Sequence, residues 1–152
     1  MGAQQAVAPA AANRTARVTR ETLRLAIGLV LFATAAGKFL DIAGFARILE
    51  SYEAFPRDWS LRVAWLVPSV ELLLALWLFS SRRLRGAAWS ALLMHLFYAA
   101  WSATALIRGP RLSNCGCFGI FLARPLTWAT VGEDLAMAAL SAALLRLARR
   151  AP

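Results

Sequence analysis

The sequence is poor in the side chains that most soluble enzymes use for chemistry. Its 152 residues include two cysteines, one histidine and a single lysine, and charged residues make up only 16% of the chain. It has no glycine-rich phosphate loop, no zinc-ligand spacing and no suitably placed Ser/His/Asp set. These absences exclude the common motifs of nucleotide-binding, zinc-dependent and serine-hydrolase enzymes.

Apolar residues dominate instead. They make up 60% of the chain, with a mean hydropathy of +0.57, against roughly 45–50% in an ordinary soluble domain. The net charge of +9 comes from arginines that bracket apolar segments, as cytoplasmic loops of membrane proteins require. No basic stripe is interleaved with stacking aromatics. We therefore predict the lipid bilayer, and not nucleic acid, as the main partner.

The apolar segments predict an all-α integral membrane four-helix bundle. Each segment is near the roughly 20 residues that a helix needs to cross a bilayer. A charged region before the first segment also fits a signal peptide, but we favour an uncleaved span because only an even number of spans puts the arginine clusters on one side. Residues 1–20 are predicted to be a disordered tail, and 21–150 the membrane domain, with spans at about 23–40, 61–79, 86–107 and 126–147.

The arginine clusters predict the orientation of these spans. Arginines concentrate in the cytoplasmic loops of membrane proteins, so both termini, the tail included, and the loop between spans two and three are predicted to be cytoplasmic. The loops at 41–60 and 108–125 are then outside. The clusters are Arg14, Arg17, Arg20 and Arg24, then Arg82, Arg83 and Arg85, and finally Arg146, Arg149 and Arg150.

The first outer loop is itself patterned. Apolar residues recur at helical spacing with charged residues between them, and Pro56 closes the run. This predicts a short amphipathic surface helix. We favour a simple connector, and a lid over the second outer loop is the alternative. The apolar positions are Ile42, Phe45, Ile48, Leu49 and Tyr52.

The second outer loop holds both cysteines, as Cys115-Gly116-Cys117. Such a pair forms a disulfide only if the backbone brings the two Cα atoms within roughly 7 Å, and Gly116 supplies that freedom because it accepts positive φ. So small a disulfide ring is strained and easily reduced, which suits disulfide exchange better than stabilisation of the fold. The alternative is two inert buried residues. Thiolate formation would be favoured by three nearby arginines, Arg108, Arg111 and Arg124.

Several ionisable residues lie inside the predicted spans, where charge is costly. Lys38 is in the outer part of span one, within possible reach of Glu71, and Asp134 lies about two turns into span four. We expect a polar cluster that supports the cysteines. Alternatively, Lys38 extends its side chain to the membrane interface and His95 is a hydrogen-bonded packing residue. Glu133 alternatively indicates that span four starts closer to the membrane surface.

Several short motifs occur in order along about residues 20–147. They are Gly37-Lys38, Asp41-x-x-Gly44-Phe45-Ala46, Tyr52, Pro68-x-x-Glu71-Leu72, Cys115-Gly116-Cys117-Phe118-Gly119 and Asp134. Together they resemble those of the MauE/DoxX-like redox-associated membrane proteins. The resemblance implies a four-helix protein of the bacterial inner membrane. It also implies thiol–disulfide chemistry outside the cytoplasm with a thioredoxin-like partner, in the maturation of secreted disulfide proteins. Where the family often has Asp before the first cysteine, this chain has Asn114.

The resulting hypothesis is that Cys115 and Cys117 cycle between dithiol and disulfide. Lys38, Glu71 and Asp134 would support the base of the loop. With no second cysteine pair, electrons need a partner or a quinone to travel further. Whether the protein is an oxidoreductase stays open, as does its oligomeric state. The loop's geometry would be set by Gly116, Phe118 and Gly119.

Three other functions compete with this hypothesis. A Cys-x-Cys loop can bind Cu(I), which prefers thiolates, although no further Cys or His lies in the outer loops. The protein could instead be a membrane-anchoring or assembly subunit with incidental cysteines. A transport path along the intramembrane charges is the least favoured function because no inverted repeat is visible.

Overall fold

A computed structural model describes residues 3–54, 56–109 and 112–149 of the chain. Those residues form helices and loops and contain no β-strand, which confirms the all-α class. Residues 1 and 2 of the predicted tail, Arg111 and Arg150 lie outside the described residues. The helices are α1 (Ala3–Phe39), α2 (Ile42–Ser51), α3 (Arg57–Ser80), α4 (Leu84–Arg108) and α5 (Trp128–Arg149).

Three of the helices are long and apolar enough to cross a membrane, so the chain is a multi-pass membrane protein. They span Asn13–Phe39, Arg57–Ser80 and Leu84–Arg108, and they match the first three predicted spans. Many of their large apolar side chains are exposed, as expected of surfaces that face lipid. The fourth predicted span coincides with α5, which is 22 residues long and is not among the three.

The N-terminal segment differs from its prediction. Helix α1 begins at Ala3, so the predicted disordered tail over residues 1–20 is wrong for residues 3–20. The segment is rich in alanine, glutamine and arginine, which are strong helix formers. A helix also extends at little cost once the neighbouring apolar span has formed its first turns.

At one end of the bundle, small and aliphatic side chains form the largest core. Helix α1 packs along α3 and α5, and α4 packs along α5. Alanines on α3 and α4 let the helix backbones approach closely. The buried members of this core are Ile27, Leu31, Leu74, Ala75, Leu78, Ala87, Ala88, Ala91, Leu144 and Leu145.

Arg24 of α1 ties the same end of the bundle together. Its Nη1 atom donates to the carbonyl oxygens of Leu78 at 2.7 Å and Phe79 at 2.8 Å. These carbonyls lie in the last turn of α3, where helical N–H donors run out, and Leu78 also accepts a hydrogen bond from the N–H of Ser81 at 3.3 Å. Glu21 pairs with the same guanidinium at 2.8 Å. Arg24 therefore caps a neighbouring helix.

Helix α2 lies in the segment between the first two predicted spans for which a short amphipathic helix was predicted. It begins after Asp41, whose Oδ1 accepts a hydrogen bond from the backbone N–H of Gly44 at 2.7 Å, a standard N-cap. Its buried face carries Phe45 and Leu49 and packs with Ala64 of α3. The helix thus covers one end of the bundle.

Candidate functional site

The two cysteines lie on an irregular hairpin between α4 and α5, which we name the cysteine hairpin (residues 112–126). Its two limbs are joined by backbone hydrogen bonds. The N–H of Leu126 donates to the carbonyl of Leu112 at 3.1 Å, and the N–H of Cys115 donates to that of Arg124 at 2.8 Å. The limbs therefore run side by side and present the cysteines near the closing turn.

The closing turn rests directly on the backbone of α1. Gly119 has a φ of +65°, and a Cβ atom there would collide with the carbonyl oxygen of Gly37. A Cβ atom at Gly37 would lie 2.6 Å from the carbonyl oxygen of Phe118. Glycine on both sides is what allows the turn and the helix to touch.

Two side chains from other elements hold the backbone of the cysteines. The Tyr52 hydroxyl, at the end of α2, donates to the carbonyl oxygen of Cys115 at 2.7 Å. The Lys38 ammonium of α1 donates to the carbonyl oxygen of Cys117 at 2.8 Å. Burial raises the pKa of Tyr52, so its hydroxyl keeps the proton that it donates. Both cysteine carbonyls are thus fixed from outside the hairpin.

Asn114 holds the hairpin from within. Its Oδ1 accepts from the N–H of Gly116 at 2.9 Å, and its Nδ2 donates to the carbonyl oxygen of Gly119 at 3.1 Å. The first bond is a local side-chain turn that asparagine forms readily. Asn114 therefore bridges the start and the end of the turn.

The two sulfur atoms lie next to each other as free thiols. The Sγ atoms of Cys115 and Cys117 are 2.7 Å apart, and a disulfide bond measures about 2.05 Å. The N–H of Cys117 also points at the Sγ of Cys115, at 3.4 Å. Only a short movement of the side chains separates this arrangement from a disulfide.

The surroundings of the pair favour a thiolate on Cys115. The hydrogen bond from Cys117 lowers the pKa of Cys115 to about 6, against the effect of burial, and the charge of Arg124 adds to this lowering. The same hydrogen bond raises the pKa of Cys117, together with burial and the negative charges of Cys115 and Asp134. Arg108 instead donates to the carbonyl oxygen of Glu53 at 2.9 Å.

Beneath the hairpin, Lys38 lies in a buried ion pair. Its Nζ is 2.9 Å from each carboxylate oxygen of Glu71, and the Tyr98 hydroxyl donates to Glu71 Oε1 at 2.7 Å. Lys38 is 4% exposed and Glu71 is 1% exposed, so the snorkelling alternative for Lys38 is wrong. A buried pair of this kind depends on both partners because either charge alone is costly.

The other predicted intramembrane residues lie apart from this pair. Asp134 is half-buried and accepts a hydrogen bond from Ser102 at 3.5 Å, although its charge acts on Cys117. Glu133 accepts a hydrogen bond from Arg124 Nη1 at 2.7 Å. His95 is buried and donates to the carbonyl oxygen of Ala91 at 2.7 Å, with the Ser141 hydroxyl 3.4 Å away, which fits its alternative as a packing residue.

Tyr98 was not among the site residues predicted from the sequence. Its signal was nevertheless present, because His95, Tyr98 and Ser102 recur at intervals of three and four on one face of α4. The sequence has two tyrosines, and both donate into this network, one to the hairpin and one to Glu71. Helix α2 also touches the hairpin, since a Cβ atom at Gly116 would lie 3.0 Å from Ile48 Cγ2.

No cluster of three or more His, Cys, Asp or Glu side chains that could hold a metal ion occurs among residues 3–54, 56–109 and 112–149. Around the sulfurs, the charged neighbours are Arg124, Asp134 and the Lys38–Glu71 pair. The arrangement is suited chemically to making, breaking and exchanging bonds at sulfur.

Comparison with known proteins identifies relatives of the chain. The family model described as Methylamine utilisation protein MauE matches residues 16–147. The curated protein "Methylamine utilization protein MauE" from Paracoccus denitrificans is 30% identical over 122 residues, which cover 80% of this chain and 66% of that protein. The chain thus spans about two thirds of the length of this relative. No solved structure matches the chain.

Proposed function

This chain belongs to the MauE family, and from that premise we propose that it is a thiol–disulfide exchange component of the membrane. Its Cys115–Cys117 pair would exchange disulfides with a thioredoxin-like protein outside the cytoplasm. The exchange would support the maturation of secreted disulfide proteins, and methylamine utilisation is the setting that the relative's name suggests.

The proposed topology has four spans, with α5 as the fourth. In this arrangement both termini and the α3–α4 loop are on the cytoplasmic side of the bacterial inner membrane, and the cysteine hairpin and α2 are on its outer side. The distribution of arginines supports this orientation. Arg83 and Arg85 flank the start of α4, and Arg146 and Arg149 lie in the last turns of α5.

One observation carries the redox proposal: the two sulfurs are 2.7 Å apart on a backbone that is fixed at both cysteine carbonyls. Tyr52 holds the first carbonyl and Lys38 holds the second. These two bonds keep the sulfurs adjacent, so the pair is positioned for forming and breaking a disulfide. Holding the thiols together raises their effective concentration toward each other.

The protein and its partner together account for all electrons and bonds in the exchange. A partner thiolate attacks one sulfur of the Cys115–Cys117 disulfide, forming a mixed disulfide and releasing the other cysteine as a thiolate. The partner's second thiolate then attacks the mixed disulfide and releases the remaining cysteine. The pair gains two electrons and takes up protons as needed, and the partner becomes a disulfide. The reverse sequence transfers electrons from the pair to the partner.

Cys115 is the better leaving group in this exchange. Its pKa is lowered to about 6, and a thiol of lower pKa leaves more readily as a thiolate. We therefore propose that the mixed disulfide forms at Cys117, which is half-buried. Lys38 and Glu71 hold the turn from below, and Asp134 acts through its charge.

Continued turnover needs a second redox reaction at the same pair. The sequence contains no further cysteine, so electrons cannot pass along the chain from one cysteine pair to another. A second thiol–disulfide partner or a lipid-soluble quinone would have to accept or supply the two electrons.

Trapping of the mixed disulfide tests this function. In cells, the Cys115→Ser variant should accumulate a disulfide-linked adduct through Cys117, because the Cys117 thiolate can still attack the partner's disulfide and no Cys115 thiol remains to release the partner. The Cys117→Ser variant should accumulate less of it. Non-reducing gels with mass identification of the adduct give the measurement, and loss of the band on reduction is the control.

Two outcomes would contradict the proposal. One is the absence of an adduct in both single variants. The other is a Cys115→Ser/Cys117→Ser variant that supports disulfide formation in secreted proteins as well as the native chain, which would favour the anchoring subunit. Binding of one Cu(I) to the reduced protein, lost in the double variant, would favour the copper alternative.

A further inference from the structure

We propose that the cysteine hairpin is a re-entrant element whose Ile120–Leu122 edge lies among lipid acyl chains. The sulfur pair is then located below the membrane surface. This inference does not depend on the redox proposal or on the orientation of the chain. It follows from the lengths of the helices, the hydrogen bonds of the hairpin and the exposure of its tip.

The hairpin meets α1 at a depth that follows from the length of the helix. Arg24 is level with the last turn of α3, because its guanidinium binds the carbonyls of Leu78 and Phe79. Gly37, which supports the closing turn, lies 13 residues further along α1, or about 20 Å at 1.5 Å per residue. The hydrocarbon core of a bilayer is about 30 Å thick. Arg24 is the last charged residue before the apolar part of α1, so we take its level as one edge of the hydrocarbon core. Roughly 10 Å of hydrocarbon then remains beyond the contact at Gly37.

The neighbouring helices extend past this level. Helix α3 has 24 residues and α4 has 25, which correspond to about 36 Å and about 37 Å. Both are long enough to cross the hydrocarbon core completely, whereas α1 ends at Phe39, two residues after Gly37. The hairpin thus descends from the far end of α4 and fills the space above the short end of α1.

The hairpin also meets the condition under which irregular backbone occurs inside a membrane. Such backbone is tolerated only when its polar groups are satisfied within the protein or by water. Here the limbs bond to each other through Cys115 and Leu126. Tyr52 and Lys38 satisfy the cysteine carbonyls, and Asn114 satisfies groups on both sides of the turn.

One edge of the hairpin is apolar and exposed. Ile120, Phe121 and Leu122 are consecutive and are 39%, 57% and 62% exposed. Leu40, at the end of α1 beside the turn, is 72% exposed. These side chains continue the exposed apolar surface of the spans, so lipid is the occupant that fits them.

The opposite edge of the hairpin is polar. Arg124 pairs with Glu133 of α5, and both side chains are partly exposed. An arginine stem can carry its guanidinium toward the headgroups, so this edge faces the interface while the Ile120–Leu122 edge faces acyl chains. The hairpin would therefore have one edge in contact with water and the other in contact with lipid.

A depth measurement tests this placement. Cysteine is introduced at Phe121 in a Cys115→Ser/Cys117→Ser background and labelled with an environment-sensitive fluorophore in phosphatidylcholine vesicles. Ser113→Cys, on the exposed polar part of the same hairpin, is the matched control, and Leu73→Cys in mid-span is the lipid standard. Acyl-chain nitroxide lipids and aqueous iodide serve as the two quenchers.

The label at Phe121 should behave like the label at Leu73. We expect nitroxide lipids to quench it at least twofold more than the Ser113 label, and iodide to quench it several-fold less. Equal iodide quenching at Phe121 and Ser113, with no excess of nitroxide quenching, would overturn the proposal.

A second measurement leaves the cysteines and the hairpin unchanged. The native protein is reconstituted with a phospholipid that carries a photoreactive diazirine on its acyl chain, irradiated and digested for mass spectrometry. Adducts should occur at Ile120–Leu122 as well as within α3 and α4. Adducts in the spans without any in the hairpin would contradict the proposal even if the labelled variants fold poorly.

Discussion

The apolar part of α1, residues 25–37, carries similar contacts at its two ends in different surroundings. At one end Arg24 binds two main-chain carbonyls of α3 and pairs with Glu21, whose side chain is 39% exposed. At the other end Lys38 binds the carbonyl of Cys117 and pairs with Glu71, which is 1% exposed. Both cations hold a neighbouring segment by its backbone. The first closes a helix end, and the second holds the hairpin that bears the cysteines.

Burial is the difference that matters for function. An exposed pair is solvated and contributes little to stability, whereas a buried pair becomes costly when one partner is removed. The chain thus retains a charge pair in its apolar interior, where the carbonyl of Cys117 is held. Mutations at the two ends should therefore differ in their effects.

The largest effect is expected for Glu71→Gln. The change leaves the buried Lys38 ammonium without its carboxylate, and breaking a buried pair in this way costs about 3–5 kcal/mol. Unfolding in detergent, followed by circular dichroism, gives the measurement. The matched change beside Arg24, Glu21→Gln, should cost less than about 1 kcal/mol.

Replacing both members of the buried pair sharpens this result. Lys38→Met with Glu71→Leu should recover most of the lost stability, because apolar residues of similar size often replace a buried pair without loss. The carbonyl of Cys117 would still lack its donor, so disulfide exchange should stay slow. Equal costs for Glu71→Gln and Glu21→Gln would contradict the contrast between the two ends.

A smaller but clear loss is expected for Gly119→Ala. A Cβ atom there collides with the carbonyl oxygen of Gly37 and strains a backbone with φ of +65°, and left-handed strain alone costs of order 1–3 kcal/mol. Gly109→Ala is the control, because Gly109 has a φ of +87° with nothing within 4 Å of the added atom. If both variants lose the same stability, the contact between hairpin and α1 is not as close as described.

The smallest effect concerns the pH dependence of thiol reactivity. Cys115 has its pKa lowered to about 6, so its thiolate persists above that pH, and alkylation by iodoacetamide should slow as the pH falls through about 6. Arg124→Gln removes a positive charge beside the sulfur and should shift this profile to higher pH. Arg108→Gln should leave it in place, since Arg108 contacts Glu53 instead. An unchanged profile in Arg124→Gln would show that Arg124 does not act on the pKa of Cys115.

Much of the fold could be predicted from hydropathy and periodicity. The first three spans follow from long apolar runs between arginines, and α2 follows from apolar residues at helical spacing. The extent of α1 could not be predicted, because the lack of apolar periodicity before Arg14 hides a segment of good helix formers. The boundaries of a helix depend on propensity as well as on the apolar face.

The site was only partly visible in the sequence. Lys38 and Glu71 stood out because charge is rare within spans, and the structure brings them into contact. The hydrogen bond from Tyr98 to Glu71 and the two bonds of Asn114 were not visible, because they depend on how α4 and the hairpin are turned toward their neighbours. Sequence spacing identifies which residues share a helix face, but the partner of that face is set by tertiary packing.

The most direct test of the redox proposal is a redox titration of the native protein in membranes. Samples are equilibrated in buffers of increasing oxidised-to-reduced glutathione ratio, quenched, alkylated and weighed by mass spectrometry. We predict that both cysteines lose their alkylation sites together, as one two-electron couple, and regain them on reduction. Two thiols that stay alkylatable in every buffer, or that are lost one at a time as separate mixed disulfides, would contradict the proposed exchange.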